Sequence, residues 1–224
     1  MSTKNEEYIP ALGIRALTPF YDLIQRTVVH DVVYKRRLIE MADIQPGQRV
    51  LDLGCGTGTL AIMVKQAQPT AQVLGLDADP QMLNVARAKA ERLSAEVTFD
   101  EGMTFELPYP DASLDRVLSS LMIHHLKTAD KQRTAREIYR VLRSPDPASG
   151  KPGGEMHVVD FGKPHSLYGK LVGFLLHEFE EAGDNFDGRL PEFFSQAGLN
   201  VREDHEFLTF FGTMTFVHGL KPRA

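Results

Sequence analysis

The chain has 224 residues, about one domain's worth, of which 42% are hydrophobic and 25% charged, close to ordinary globular usage. Those proportions exclude a disordered, collagen-like or membrane-spanning chain, and a formal net charge of −5 spread along the sequence draws no whole surface towards nucleic acid or anionic lipid. Cys55 is the only cysteine, so neither an internal disulfide nor a cysteine-paired zinc site is available.

Residues 1–10 are polar and acidic, without the basic-then-apolar pattern of a leader. The longest apolar stretch, 171–176, falls far short of the ~20 residues of a spanning helix. The expectation is a soluble, cytoplasmic, single-domain protein.

Residues 11–42 read as largely helical, around Phe20-Tyr21-Asp22-Leu23-Ile24 and then over 28–39. A strand over 49–53 is broken by Gly54, and a helix over 59–66 stops before Gln68-Pro69. A second strand covers 72–76. Pro80 suits the first turn of a helix with Asp79 as its N-cap, and Met82, Leu83, Val85, Ala86 and Leu93 recur at near-helical spacing. Strands over 96–100 and 114–119 follow, then a charged amphipathic helix over 129–143 with Ile138, Val141 and Leu142 inward. A Pro/Gly/Ser loop, 144–154, leads to a strand over 155–161.

Leu167, Leu171, Phe174, Leu175 and Phe179 then form a helical stripe, readable as core or as the wall of an apolar pocket. A short helix over 190–196 ends at Gly198, a C-cap residue. Two β-rich runs, 200–210 and 213–217, are separated by two residues, which permits a hairpin and forbids a parallel crossover. Strands alternating with helices require right-handed crossovers, so the expected α/β architecture is a parallel sheet, covered on both faces, that finishes in an antiparallel hairpin.

The segment Val50-Leu51-Asp52-Leu53-Gly54-Cys55-Gly56-Thr57-Gly58 carries the most chemistry. An apolar strand runs into three glycines and then a helix. Glycine admits positive φ and close approach of a ligand, and the helix start offers N–H groups, which together make a nucleoside cradle. A dinucleotide turn wants a small residue where this chain has Thr59, so dinucleotide binding is disfavoured. Asp77 ends the second strand, where a carboxylate can accept two hydrogen bonds from a ribose diol.

These residues resemble the class I S-adenosylmethionine-dependent methyltransferases over roughly residues 45–161. The glycine segment matches the family's first motif and Gly75-Leu76-Asp77 its second; Leu107-Pro108-Tyr109-Pro110-Asp111, Leu114-Asp115-Arg116-Val117, His124-His125-Leu126 and Lys151-Pro152-Gly153-Gly154 follow in order. The resemblance implies a Rossmann-like fold with a mostly parallel seven-stranded sheet, helices on both faces and a C-terminal antiparallel hairpin. It implies S-adenosylmethionine as cofactor, S-adenosylhomocysteine as product and a small-molecule methyl acceptor, with no nucleic-acid partner.

Carried over by position, Asp52 and the backbone of Gly54, Cys55 and Gly56 face the methionine part. Asp77 takes the ribose hydroxyls, Ala78 lies beside the adenine, and Ser119 offers its carbonyl to the ammonium. Met103, with Thr104 after it, stands where the family has an acidic contact to the adenine amine, for which Glu101 or Asp100 could substitute. Tyr21 resembles an N-terminal ring that covers the cofactor. By the same resemblance, 1–44 is a helical cap, 45–161 the cofactor core, 162–198 a lid or substrate segment and 199–224 the hairpin.

Methyl transfer requires alignment, exclusion of water and, for a protonated nucleophile, a base. It requires no metal and no covalent nucleophile. His124, then His125, just past the fourth strand, are the base candidates; their other reading is a cap and a half-buried packed ring. Asp160, ending the fifth strand, is a second candidate or a turn residue. The expected acceptor is small and apolar or aromatic. Val159-Asp160-Phe161-Gly162-Lys163-Pro164 resembles quinone-biosynthesis C-methyltransferases, and a phospholipid amino headgroup is the other acceptor considered. A non-catalytic subunit that binds the cofactor is the alternative of another class.

Overall fold

A computed structural model describes residues 31–148, 150–163, 183–209 and 212–223. Tyr21 and the stripe from Leu167 to Phe179 lie outside them. In chain order the elements are α1 (Asp31–Ala42), β1 (Arg49–Leu53), α2 (Thr59–Ala67), β2 (Gln72–Asp77), α3 (Pro80–Arg92), β3 (Val97–Glu101) and β4 (Arg116–Ser120). There follow a single 3₁₀ turn (Ile123–His125), α4 (Thr128–Val141), β5 (Glu155–Phe161), α5 (Gly183–Phe186), α6 (Leu190–Gln196), β6 (Asn200–Thr209) and β7 (Gly212–Leu220).

The seven strands form one sheet in the order β3-β2-β1-β4-β5-β7-β6. β1 to β5 run parallel, while β7 pairs antiparallel with β5 and β6 with β7. The strands read as continuous apolar runs because both faces are covered. Leu51, Leu53, Val117 and Val158 pack beneath Ile138, Phe193 and Phe194 of α4 and α6. Val50, Val73, Leu118 and Val159 point the other way, under Leu38, Leu60, Val64 and Leu83 of α1, α2 and α3. The chain leaves β1 outward to β2 and β3, then returns to β4 on β1's other side. That reversal opens a crevice above the carboxyl ends of β1 and β4.

Several boundaries differ from the periodic reading. α4 stops at Val141 because Leu142 turns extended (ψ 134°) and bridges Leu114. Leu114 therefore stands outside β4, which starts at Arg116 and runs on to Ser120. β7 continues past Val217 to Leu220, in register with the whole of β5. Asp79 does cap α3, its Oδ1 accepting the Gln81 N–H at 2.8 Å, while Ala197 is the C-cap of α6 and Gly198 (φ 105°) follows it. The 3₁₀ turn and α5 are too short to leave a periodic signal.

At the amino end of β5, opposite the crevice, Glu155, His157 and His218 bring three metal-ligand atoms within 4.8 Å of one another. Their hydrogen bonds define a different object. An Arg202 N–H lies 3.3 Å from His218 Nδ1, and only a lone pair there can meet it, so the proton sits on Nε2. The Nε2 atoms of His218 and His157 then donate to Glu155 Oε2 at 3.1 and 3.3 Å, while Arg116 stands 3.5 Å from Oε1. A cation would have to displace both protons and face that guanidinium. The cluster fastens β7 to the parallel sheet.

Burial lowers the His157 pKa despite its bond to Glu155. Burial works to raise the Glu155 carboxyl, but the two histidine donors and Arg116 outweigh it and hold it below the usual carboxylate range. A histidine depressed in the folded state costs stability as the pH falls below its ordinary 6.5; a depressed carboxyl loses its contribution only below its ordinary 4.5. Wild-type stability is therefore expected to decline between pH 6.5 and 5. His157→Gln, which keeps a donor for Glu155, should flatten that slope by up to ~1.4 kcal/mol per pH unit, measured by urea unfolding. An equal slope in both proteins would show that His157 is not the group responsible.

Candidate functional site

The glycine turn sits where β1 meets α2. Gly54, Gly56 and Gly58 all have positive φ, at 70°, 52° and 72°. Two of them are glycine for different reasons. A Cβ at Gly54 would overlap the side chain of Met122, which follows β4 and so lies directly on the turn. A Cβ at Gly56 would meet no atom within 4 Å, because the tip of the turn faces open space.

The turn's N–H groups are largely engaged within the protein. Those of Gly54 and Cys55 both donate to the Leu76 carbonyl, at 2.8 and 2.9 Å, and that of Gly58 to the Cys55 carbonyl at 2.9 Å. The Gly56 N–H donates to Asp77 Oδ2 at 2.8 Å, and the Asp79 N–H to Asp77 Oδ1 at 2.9 Å. A phosphate-binding turn keeps its N–H groups for the anion. This one presents carbonyl oxygens and an open tip beside a carboxylate, which suits an ammonium and a ribose diol.

Burial raises the Asp77 pKa against the pull of the Asp79 and Gly56 N–H groups. Asp52, on β1, is almost fully buried; its Oδ2 accepts the Ala61 N–H at 2.9 Å and so caps the first turn of α2. Burial pushes it up to about 7, against the Lys35 charge and that N–H. Cys55 is buried, and burial together with the Asp52 and Asp77 charges raises its thiol, which stays protonated and unreactive. Ser119 is fully buried, with its hydroxyl donating to the Leu53 carbonyl at 2.9 Å, so only its backbone is available to a ligand.

Around the expected adenine position, Ala78 and Met103 are partly buried, and Gly102 N–H donates to the Asp77 carbonyl at 3.0 Å. Thr104 is turned away: its hydroxyl pairs with that of Thr134 on α4 at 3.0 Å. Asp100, one substitute for the missing acidic contact, accepts the Tyr109 hydroxyl at 2.9 Å. Glu101 is exposed.

Sequence reasoning did not single out Met122, Phe99 or Ser120. Phe99 fills the space that Cβ atoms at Gly58 and Gly75 would need, at 2.8 Å from each. The Ser120 hydroxyl, at the end of β4, is buried without a partner among the described residues. The doubled serine at the strand end was the available signal.

His124 and Asp160 come together. Asp160 on β5 is fully buried, and its Oδ1 lies 2.7 Å from His124 Nδ1. Asp160 also accepts the backbone N–H groups of Phe161 and His124, at 2.7 and 3.3 Å. His125 packs against His124 with ring centroids 4.0 Å apart, and burial, then the His124 charge, pushes His125 down to about 3.

The crevice, the open glycine tip and Asp77 belong to an α/β protein and suit a nucleoside bearing a cationic group. Comparison with known proteins names the family. Residues 50–145 match the methyltransferase domain family. A demethylmenaquinone methyltransferase of Thermus thermophilus is 37% identical over 150 residues, covering 66% of this chain and 64% of the relative. The chain thus spans slightly under two thirds of that relative's length. An uncharacterised methyltransferase of Synechocystis is 31% identical over 192 residues, covering 83% of this chain and 84% of the relative. Among solved structures, phosphoethanolamine N-methyltransferase 2 of Haemonchus contortus, in complex with S-adenosyl-L-methionine, superposes with a TM-score of 0.69 at 18% identity, over 94% of this chain and 61% of that one. The chain belongs to the S-adenosylmethionine-dependent methyltransferase family.

No helix among the described residues is long and apolar enough to cross a membrane.

Gly56→Ala separates binding from folding. A left-handed alanine costs about 1 kcal/mol, and no protein atom opposes its methyl group. The methyl projects into the open tip, so affinity for S-adenosylmethionine is expected to fall about tenfold or more while unfolding free energy drops by only ~1 kcal/mol. Unchanged calorimetric affinity would place the cofactor elsewhere.

Proposed function

We propose that this chain transfers a methyl group from S-adenosylmethionine to a ring carbon of a small hydroxylated aromatic acceptor of the quinone-precursor type. The observation that carries the cofactor reading is the glycine turn, whose N–H groups are bonded internally while Asp77 stands beside the open tip. The name of the Thermus relative and the stretch from Val159 to Pro164 support the acceptor class.

The residues present fit the cofactor. Asp77 has lone pairs left for the ribose hydroxyls, and the carbonyls of the turn and of Ser119 suit the ammonium. The Ser120 hydroxyl supplies one more buried polar atom at the strand end. Ala78 and Met103 offer apolar contact to the adenine, without the acidic partner to its amine. The bound cofactor supplies a methyl group already activated on a sulfonium. The protein's task is then to orient the acceptor and exclude water.

The test is anaerobic incubation with methyl-labelled S-adenosylmethionine and an equimolar mixture of reduced 1,4-naphthoquinone and phosphoethanolamine, with mass identification of the product. Label on the ring carbon beside a hydroxyl is the expected result. Label in a phosphoethanolamine headgroup instead would overturn the acceptor class. Calorimetry showing tight nicotinamide dinucleotide binding, without binding of S-adenosylmethionine, would overturn the cofactor.

A further inference from the structure

We infer that His124 is the general base of this reaction, with Asp160 as the residue that positions it; this rests on the methyl transfer proposed above. Asp160 is closed off from solvent, and the Phe161 and His124 backbone N–H groups complete its coordination. Such a carboxylate accepts, so the proton between it and the imidazole belongs to His124 Nδ1. The lone pair then sits on Nε2, which makes no hydrogen bond among the described residues. The ring is also held on its faces, by His125 at 4.0 Å and edge-on by Phe161 at 4.7 Å.

Placement in the fold puts this residue at the carboxyl end of the sheet, on the side of the cofactor crevice. His124 lies two residues beyond Met122, whose side chain packs on Gly54, and four beyond the end of β4. Burial works to raise Asp160, but the His124 charge and the hydrogen bonds it accepts outweigh that and keep it ionised. An ionised, immobile carboxylate stabilises the imidazolium that proton uptake creates.

The step balances simply. The acceptor's O–H bond breaks, an Nε2–H bond forms, and the electron pair remains on oxygen, from which it enriches the neighbouring ring carbon that takes the methyl. The carbon–methyl bond forms as the methyl–sulfur bond breaks, its electron pair staying on the sulfur of S-adenosylhomocysteine. The oxygen recovers its proton from the imidazolium. The neutral Nε2 then takes the ring carbon's hydrogen as a proton, restoring aromaticity, and releases it to solvent.

The charged and titratable groups that face the pair are His125 on the same turn, Lys131 of α4, and, around Lys131, Asp184 of α5 and Arg189. His125 stays neutral across the assay range.

Three measurements decide the matter. Long-range ¹H–¹⁵N spectra of the wild-type protein should show His124 protonated at Nδ1; protonation at Nε2 would overturn the inference. With reduced 1,4-naphthoquinone as acceptor, His124→Gln should lose about 100-fold or more in kcat, while its dissociation constant for S-adenosylmethionine stays within threefold. Activity retained within threefold would overturn it. Asp160→Asn should shift the acid limb of the kcat profile to lower pH, because the imidazolium loses its counter-charge, whereas a purely structural Asp160 would leave the limb in place. Should the wild type methylate no naphthohydroquinone, the acceptor reading fails, and the tautomer spectrum alone still supports or overturns the pair.

Discussion

Asp184→Ala is expected to destabilise the protein by about 3–5 kcal/mol, because it takes a buried carboxylate away from the Lys131 ammonium, the Thr128 hydroxyl and the Arg189 guanidinium at once. Lys131 sits on the inward face of α4 with its side chain 1% exposed, and its Nζ lies 3.6 Å from Asp184 Oδ2. The same carboxylate accepts the Thr128 hydroxyl and an Arg189 N–H, both at 2.6 Å. Burial already lowers the Lys131 pKa, with Asp184 the foremost group opposing it.

Without Asp184 that depression deepens, so the folded state sheds the proton more readily than the unfolded chain. Stability then rises with pH, and the deficit against wild type should shrink between pH 7 and 9.5 in urea unfolding. Lys131→Met in the same chain should recover part of the loss, since the buried ammonium that Asp184 faced is then gone as well. A deficit below ~1 kcal/mol at pH 7 would mean that Asp184 is not what holds the Lys131 charge in place.

Asp77→Ala is expected to weaken binding of S-adenosylmethionine by ~1–3 kcal/mol, about 5- to 150-fold. The loss has two parts. The ribose hydroxyls lose their acceptor, and the Gly56 and Asp79 N–H groups lose theirs, which frees the tip of the turn to move. Asp77→Asn separates the parts in degree: its one carbonyl oxygen keeps one of the two N–H bonds, so the turn loses less than with alanine while the diol site is impaired. Asparagine should therefore match wild type more closely in thermal stability than in affinity. An unchanged dissociation constant for Asp77→Ala would remove this residue from the site.

How much was legible follows from which interactions are local. The cap at Asp79 was readable because its partner, Gln81, is two residues away. The glycine turn was readable because positive φ leaves a compositional trace at alternate positions, here Gly54, Gly56 and Gly58. The hairpin followed from a connection of only two residues. By contrast, the helix over 129–143 was read two residues too long at its end, since Leu142 leaves the helix only to meet Leu114, and no local signal marks that pairing.

The site shows the same division. His124 and Asp160 each stood out from the sequence, but as separate candidates with separate structural readings. Thirty-six residues part them, and only the parallel pairing of β4 with β5 sets them side by side. Lys131 lies at helical spacing on the stripe of Ile138 and Leu142, yet a charge on an apolar stripe becomes intelligible only with Asp184 opposite it. Thr104 was carried over as a cofactor contact by position, whereas its hydroxyl engages α4.

By itself, then, the order of residues determined the alternation of strands and helices, the glycine bend and the carboxylate that follows it, because each depends on backbone conformations set within a few residues. Only the folded sheet decided which distant polar groups share one proton or one buried charge. Those partnerships depend on strand order and register, and side chains far apart in the chain carry no record of either.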